Sequence, residues 1–155
     1  MRTEEIRKWI EEGGDLPQDL TSKEKEHLKG LGWKAHREWY SNGQLGWEQF
    51  YLSNMLHGVD RQWYENGQLM WEKNFLHGKE HGKCRWWHLN GQLMWEKNFL
   101  HGKEHGMGRE WHSSGQLWLE RNFLHGILHG VYRRFDPFGG QLELDEEWFY
   151  GNKIR

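Results

Sequence analysis

Residues 67–82 read GQLMWEKNFLHGKEHG, and residues 91–106 read the same. A stretch that returns unchanged after 24 residues is one structural unit used more than once. The match extends outward from it in both directions. Gly43, Gly67, Gly91 and Gly115 are 24 residues apart, and Gly140 follows after 25. A Gln-Leu pair follows each glycine, from Gln44-Leu45 to Gln141-Leu142. Four residues after the glycine stand Trp47, Trp71, Trp95, Leu119 and Leu144. Eight after it stand Tyr51, Phe75, Phe99, Phe123 and Trp148. Four before it stand Trp39, Trp63, Trp87 and Trp111, with Phe135 in line once a one-residue insertion is allowed.

One unit, Gly82 to Gly106, holds two short runs rich in aromatics, Lys83 to His88 and Gln92 to Leu100. Leu89-Asn90-Gly91 lies between them, which predicts a β-hairpin. Two loop lengths fit. A two-residue type I′ loop on Asn90-Gly91 pairs Arg85 with Glu96 but sets Trp87 on the face opposite Leu93, Trp95 and Phe99. A three-residue loop is a type I turn on Leu89-Asn90 with Gly91 left-handed in a bulge. It places Trp87, Leu93, Trp95 and Phe99 on one face, and is favoured for that reason. The second turn of the unit, His-Gly-Lys-Glu-His-Gly at 77–82 and 101–106, carries two glycines suited to positive φ.

The expected fold is therefore mainly β. It is an elongated antiparallel single-sheet array of about five β-hairpin repeats, with about ten strands. At roughly 4.8 Å between strands, each hairpin advances about 10 Å and five span on the order of 50 Å. Such an array has no central core, and its stability is a sum of unit and interface terms. The ends should differ from the middle. Residues 1–30 lack the repeat and are expected to form a helical N-terminal cap, with residues 31–155 forming the array. Thr3 to Glu12 puts Ile6, Trp9 and Ile10 on one side of a helix that Gly13-Gly14 ends. Thr21 and Glu24 have capping-box spacing for a second helical turn that Gly30 stops.

Composition agrees with a thin structure. Only 35% of residues are apolar, yet twelve are Trp, so a few large rings must supply the buried contacts. The 21 basic and 23 acidic residues form no block, which excludes a nucleic-acid footprint or a polybasic patch. The lone Cys84 cannot staple a secreted disulfide domain. No leader-like or spanning apolar run is seen, so the expected location is cytoplasmic, with a peripheral place at a membrane as the alternative.

Gly78-Lys79-Glu80-His81-Gly82 and Gly102-Lys103-Glu104-His105-Gly106 resemble the Gly-Lys-Xaa-His-Gly signature of MORN repeats. The Asn-Gly turn, the aromatic three residues before the signature (Phe75, Phe99, Phe123) and the period are similar too. The resemblance covers Trp33 to Arg155. It departs at Trp71-Glu72-Lys73 and Trp95-Glu96-Lys97, where the usual Tyr-Xaa-Gly glycine is missing. The period of 24 and the Gly-Gln-Leu run look closer to the variant MORN repeats, which occur in bacterial antitoxin components. The resemblance implies an elongated sheet for protein–protein contact. In some members it implies anionic-lipid contact, dimerisation or antitoxin-like inhibition of a partner protein.

Three ladders follow from the period. Trp39, Trp63, Trp87 and Trp111, with Trp47, Trp71 and Trp95 beside them, form either an internally packed floor or a groove for a partner. Arg37, Arg61, Arg85, Arg109 and Arg133 run parallel to Glu48, Glu72, Glu96, Glu120 and Asp145. The favoured loop sets Arg85 on the Trp87 face and Glu96 on the other, which predicts guanidinium stacking on the rings. The shorter loop predicts ion pairs instead. Two histidine rows, His57, His81, His105, His129 and His77, His101, His125, read as turn residues, because no carboxylate or cysteine completes a metal set. No nucleophile elbow, phosphate loop or zinc-hydrolase motif occurs, and no cofactor is implied. Like residues repeated along a line suit recognition, not catalysis.

The resulting expectation is a non-catalytic scaffold that binds an extended protein partner through an aromatic sheet face. The expected contact residues are Trp39, Trp63, Trp71, Trp87, Trp95, Trp111, Arg61, Arg85 and Arg109. Self-association is a variant of that reading. A peripheral adaptor for anionic lipids stands second, weakened by the net charge of -2. Carbohydrate stacking stands third.

Overall fold

The computed structural model describes residues 3–155. Met1 and Arg2, the start of the expected cap, lie outside the described residues. The chain divides into two compact units, Met1–His81 and Gly82–Arg155. The first contains helices α1 (Thr3–Glu12) and α2 (Ser22–Gly30), then strands β1 (Lys34–Trp39), β2 (Leu45–Leu52), β3 (Met55–Trp63), β4 (Leu69–Leu76) and β5 (Lys79–Glu80). The second contains strands only: β6 (Gly82–Trp87), β7 (Leu93–Leu100), β8 (Lys103–Glu104), β9 (Gly106–Trp111), β10 (Leu117–Leu124), β11 (Ile127–Phe135), β12 (Leu142–Phe149) and β13 (Asn152–Lys153). The fold is mainly β, an open antiparallel hairpin array. Thirteen strands replace the expected ten, because β5, β8 and β13 are two-residue strands that follow tight turns.

The hairpin loop has the three-residue form. His88 N–H donates to Gln92 O at 2.8 Å, and Gly91 N–H donates to His88 O at 2.9 Å. Gly91 has φ +84, as the bulge position of that turn needs. Tyr40, Tyr64 and His112 close the same loop in their own hairpins. Asn42, Asn66 and Asn90 each accept the N–H of the glutamine two residues on, at 2.9, 3.0 and 3.0 Å.

A second bulge then changes the register. Trp87 opposes Leu93, but Trp86 opposes Trp95, so Met94 is an extra residue on β7. The same step occurs at Gly46, Met70, Trp118 and Glu143. Sequence reading could only weigh one bulge against none. The structure uses the longer loop and then arrives at the pairing of the shorter one, Arg85 opposite Glu96. The returning turns are two-residue type I′ turns. His77-Gly78, His101-Gly102 and His125-Gly126 all have positive φ, between 49° and 83°.

Successive hairpins are also tied through side chains. Tyr40 Oη donates to Trp63 O at 2.7 Å and Asn42 Nδ2 to Glu65 O at 3.0 Å. In the second unit His88 Nε2 contacts Trp111 O at 3.1 Å and Asn90 Nδ2 donates to Ser113 O at 2.7 Å. These rungs link the first loop to the second and the third to the fourth, and replace contacts that a central core would make.

Among the described residues, the first unit holds a conventional core. Ile6 and Trp9 of α1, Leu16, Leu20 and Leu28 pack on Phe50, Leu52 and Val59 of β2 and β3. Each such side chain contributes roughly 1.5–3 kcal/mol of burial. The capping box is complete: Glu24 N–H donates to Thr21 Oγ1, and Thr21 N–H donates back to Glu24 Oε2 at 2.8 Å. Gly13, at φ +76, ends α1 by donating to Trp9 O at 2.9 Å.

His57, 1% exposed, lies beneath α1 and makes a 2.7 Å hydrogen bond from Nε2 to Trp9 O. Its Nδ1 is buried without a partner, and the His77 ring is 5.2 Å away. Burial holds the imidazole below its ordinary value of 6.5, outweighing the bond to Trp9. A depressed folded value means that stability is present above pH 6.5 and lost as pH falls through the folded value. Docking of α1 should therefore weaken on acidification. Urea unfolding of wild type and His57→Gln, followed by Trp fluorescence from about pH 7.5 to pH 5, should show a steeper loss in wild type. Equal slopes would sink the account.

Asp60, 4% exposed, accepts Trp47 Nε1 at 2.8 Å and Gln49 Nε2 at 2.9 Å. Burial raises its carboxyl above the ordinary value despite those two bonds. Its contribution runs the other way from that of His57: present at low pH and lost as pH rises through the folded value.

Candidate functional site

The arginine row is fully paired with the acidic row. Arg37 Nε donates to Glu48 at 2.6 Å, Arg61 to Glu72 at 2.7 Å, Arg85 to Glu96 at 2.7 Å, Arg109 to Glu120 at 2.8 Å and Arg133 to Asp145 at 3.0 Å. Each pair is directly opposite across two strands. This corrects the expectation that Arg85 and Glu96 lie on opposite faces and that the arginines stack on tryptophan. The extra residue at the second bulge rotates the acidic row onto the arginine face. Within the row, Arg37 also lies over a ring, that of Phe50 at 5.6 Å. Arg61 gains a second carboxylate from the cap, Asp15 at 2.7 Å. Burial pushes the Glu96 carboxyl up, but hydrogen bonds from Arg85 and Lys83 outweigh that and hold it below the usual carboxylate range. Partly exposed pairs of this kind contribute about 0–1 kcal/mol each, so their main effect is on register.

The aromatic residues divide between two faces. Strand alternation places Trp87 beside Arg85 on one face of the second unit, with Leu93 and Glu96 opposite them. Trp86, Trp95 and Lys97 share the other face, and the Trp86 and Trp95 rings are 6.0 Å apart. Trp111 stands with Arg109 on the Trp87 face. The first unit repeats the division, with Trp39, Trp63 and Arg61 on one face and Trp47 and Trp71 on the other. The single floor containing Trp87, Leu93, Trp95 and Phe99 is thus not formed. The cause is again the bulge, which inverts the alternation between Leu93 and Trp95.

On the Trp95 face, lysines cover the rings. Lys73 Nζ lies 5.5 Å from the Trp71 centroid and Lys97 Nζ lies 5.3 Å from that of Trp95. Both lysines also pair with carboxylates, Glu80 at 3.0 Å and Glu104 at 2.9 Å. Glu110 of β9 faces Lys97 and pairs with Arg121. Sequence reading did not single out Trp86, Lys97, Glu110 or Arg121. Their recurrence is weak from unit to unit, and only the register gathers them.

All the tryptophans of the second unit (Trp86, Trp87, Trp95, Trp111, Trp118 and Trp148) keep partial exposure, whereas Cys84 and Leu119 are its buried apolar residues. In the first unit Trp39 is 61% exposed. The histidines of the returning turns contact one another: His105 Nδ1 accepts His125 N–H at 3.4 Å, and their rings are 4.7 Å apart. Among the described residues, no group of three or more His, Cys, Asp or Glu could hold a metal ion. No helix is long and apolar enough to cross a membrane.

Two adjacent segments, residues 56–77 and 80–101, match the MORN repeat variant family. Each matched segment covers one hairpin, β3–β4 or β6–β7, and the two begin 24 residues apart, so the family's unit and the period coincide. MORN repeats are generally found in repeat scaffolds and binding proteins. No curated protein matches the chain.

Proposed function

We propose that this chain is a non-catalytic scaffold that binds an extended protein partner, with the Arg–Trp face of the second unit as the contact surface. The carrying observation is that every tryptophan of this unit stays partly exposed on a hydrogen-bonded sheet. Large rigid rings held at a regular pitch are the residue type that dominates protein interfaces. Trp87, Trp111, Arg85 and Arg109 would form the contact here, with Trp39, Trp63 and Arg61 repeating the pattern in the first unit. Trp71 and Trp95 belong to the opposite face and are secondary in this reading. Residues 1–30 act as the cap and residues 31–155 as the binding array. Inhibition of a bound protein, as by an antitoxin, is one use of such a surface. Recognition of anionic lipid head groups is less well supported, because each row arginine already faces a carboxylate.

Affinity capture from a lysate of the source organism tests this reading. The baits are wild type, Trp87→Ala/Trp111→Ala and Trp86→Ala/Trp95→Ala, each checked for a native circular dichroism spectrum. A protein held by wild type should be lost with the Trp87/Trp111 variant, with affinity reduced at least about thirtyfold. It should survive the Trp86/Trp95 variant. Capture unaffected by the first variant removes the Arg–Trp face as the site.

A further inference from the structure

The first unit carries a cleft beside Trp47. Its volume is about 350 Å3, and its lining includes Glu38, Tyr40, Gly46, Trp47, Gln62 and Trp71. That size is within the range of small-ligand pockets. Glu38, Trp47, Gln62 and Trp71 form one cross-strand row over β1 to β4, on the face opposite Arg37 and Arg61. The rings are fixed by their polar atoms. Trp47 Nε1 donates to Asp60 at 2.8 Å, Trp71 Nε1 to Gln62 Oε1 at 2.6 Å, and Tyr40 Oη to Trp63 O at 2.7 Å. The walls are therefore already in place before anything binds.

Two sequence differences open the cleft. The first is Gly46, at the bulge position where the next two hairpins have Met70 and Met94. The Tyr40 ring lies against it, with Cε2 3.1 Å from where a Cβ would stand. The second is Gln49. Two residues after Trp71 and Trp95 come Lys73 and Lys97, whose ammonium groups lie over those rings. Two residues after Trp47 comes Gln49, whose amide is taken up by Asp60 and Tyr51. The equivalent indoles of this same chain thus carry a lysine ammonium, whereas the group set against Trp47 is the His36 ring, edge-on at 5.1 Å. The rim supplies the matching charge: Glu38 stands directly opposite Trp47, held by His36 at 3.0 Å.

We propose that this cleft binds an organic ammonium group, methylated or quaternary, on the Trp47 ring beside Tyr40, with Trp71 as the far wall and Glu38 as its counter-charge. Ring faces attract cations through their quadrupole, and the carboxylate adds direct attraction. Methyl groups on the ammonium bring apolar surface to match the rings. The site is on the first unit, and stands or falls independently of the partner-binding face.

The test uses the full chain and choline chloride as probe, followed by the indole N–H resonances of Trp47 and Trp71. Choline should shift both saturably. Its carbon isostere, in which a tert-butyl group replaces trimethylammonium, should bind about tenfold more weakly or less. Gly46→Met, which restores the residue of the next two hairpins, should abolish the shifts in a protein of unchanged circular dichroism. Glu38→Gln should weaken binding several-fold without touching the fold. A trimethyllysine peptide that binds more tightly than choline assigns the ammonium to a protein side chain; a weaker one assigns it to a small molecule. The proposal is overturned if choline shifts neither indole, if the isostere binds equally well, or if both folded variants keep the full response.

Discussion

Replacing Trp9 with alanine should lower the stability of the first unit by about 3–5 kcal/mol, the usual cost of removing a buried tryptophan. Trp9 is 1% exposed and belongs to the cluster that joins α1 to Phe50, Leu52 and Val59. Its ring meets His57 edge-on, with centroids 4.6 Å apart. One term opposes the loss. The buried Trp9 Nε1 has no hydrogen-bond partner, so removing it recovers a desolvation cost of about 1–3 kcal/mol. The expected loss is therefore near the lower end, about 3 kcal/mol. Trp9→Phe keeps most of the ring and drops the orphan donor, and should stay within about 1 kcal/mol of wild type. Urea unfolding followed by circular dichroism measures both. A Trp9→Ala protein as stable as wild type would mean that burial of the Trp9 ring contributes nothing to the first unit.

Gly58→Ala should cost about 2–4 kcal/mol, from two causes that can be separated. Gly58 has φ +83, where an L side chain is strained by about 1–2 kcal/mol. A Cβ there would also lie 2.5 Å from Trp9 Nε1, 3.1 Å from Trp9 Cε2 and 2.9 Å from Gly14 O. The tryptophan edge and the chain after α1 both occupy the space a methyl group needs. In a Trp9→Ala background two of those three contacts disappear, while the backbone strain remains. The double mutant should thus be less damaged than the sum of the singles, by about 1–2 kcal/mol. Simple additivity would show that the clash is relieved some other way, and that strain alone explains the glycine.

The hairpins were legible in the sequence because their signals are local. Gly91 at φ +84 and His77-Gly78 in a type I′ turn are decided within four or five residues, and the period repeats the decision. The capping box at Thr21 and Glu24 is local as well. The faces were not legible. They depend on one uncompensated residue, Met94 or its equivalents, whose identity varies from Gly46 to Trp118 and carries no turn chemistry. A period-2 reading that counts from the loop is right up to Leu93 and inverted after it. The positions of Arg85 and Glu96 held the missing information, since the three-residue loop and an ion pair between them are compatible only through the extra step. The buried polar residues of β3 escaped for another reason. His57 shares its repeat frame with the half-buried His81, His105 and His129, and Asp60 shares its frame with Cys84, Gly108 and Tyr132; packing against α1 and the bond from Trp47 set the two apart. The cleft at Trp47 was hidden because it is defined by what two positions lack, Gly46 and Gln49, relative to their repeats.

The rungs that tie loop to loop expose the molecule to slow chemical ageing. Asn42-Gly43, Asn66-Gly67 and Asn90-Gly91 are the dipeptide that deamidates most readily, because glycine leaves the following nitrogen free to attack the side-chain amide. In the rungs the Asn42 and Asn90 amides are donors to Glu65 O and Ser113 O. Loss of ammonia turns each donor into an oxygen that faces another oxygen, so a link becomes a repulsion and the loop gains a negative charge. The fourth hairpin, with Ser113-Ser114 before Gly115, cannot undergo this change. Stored protein should therefore become more acidic and loosen first at its Asn-Gly loops, and an Asn90→Ser chain should keep better than the parent.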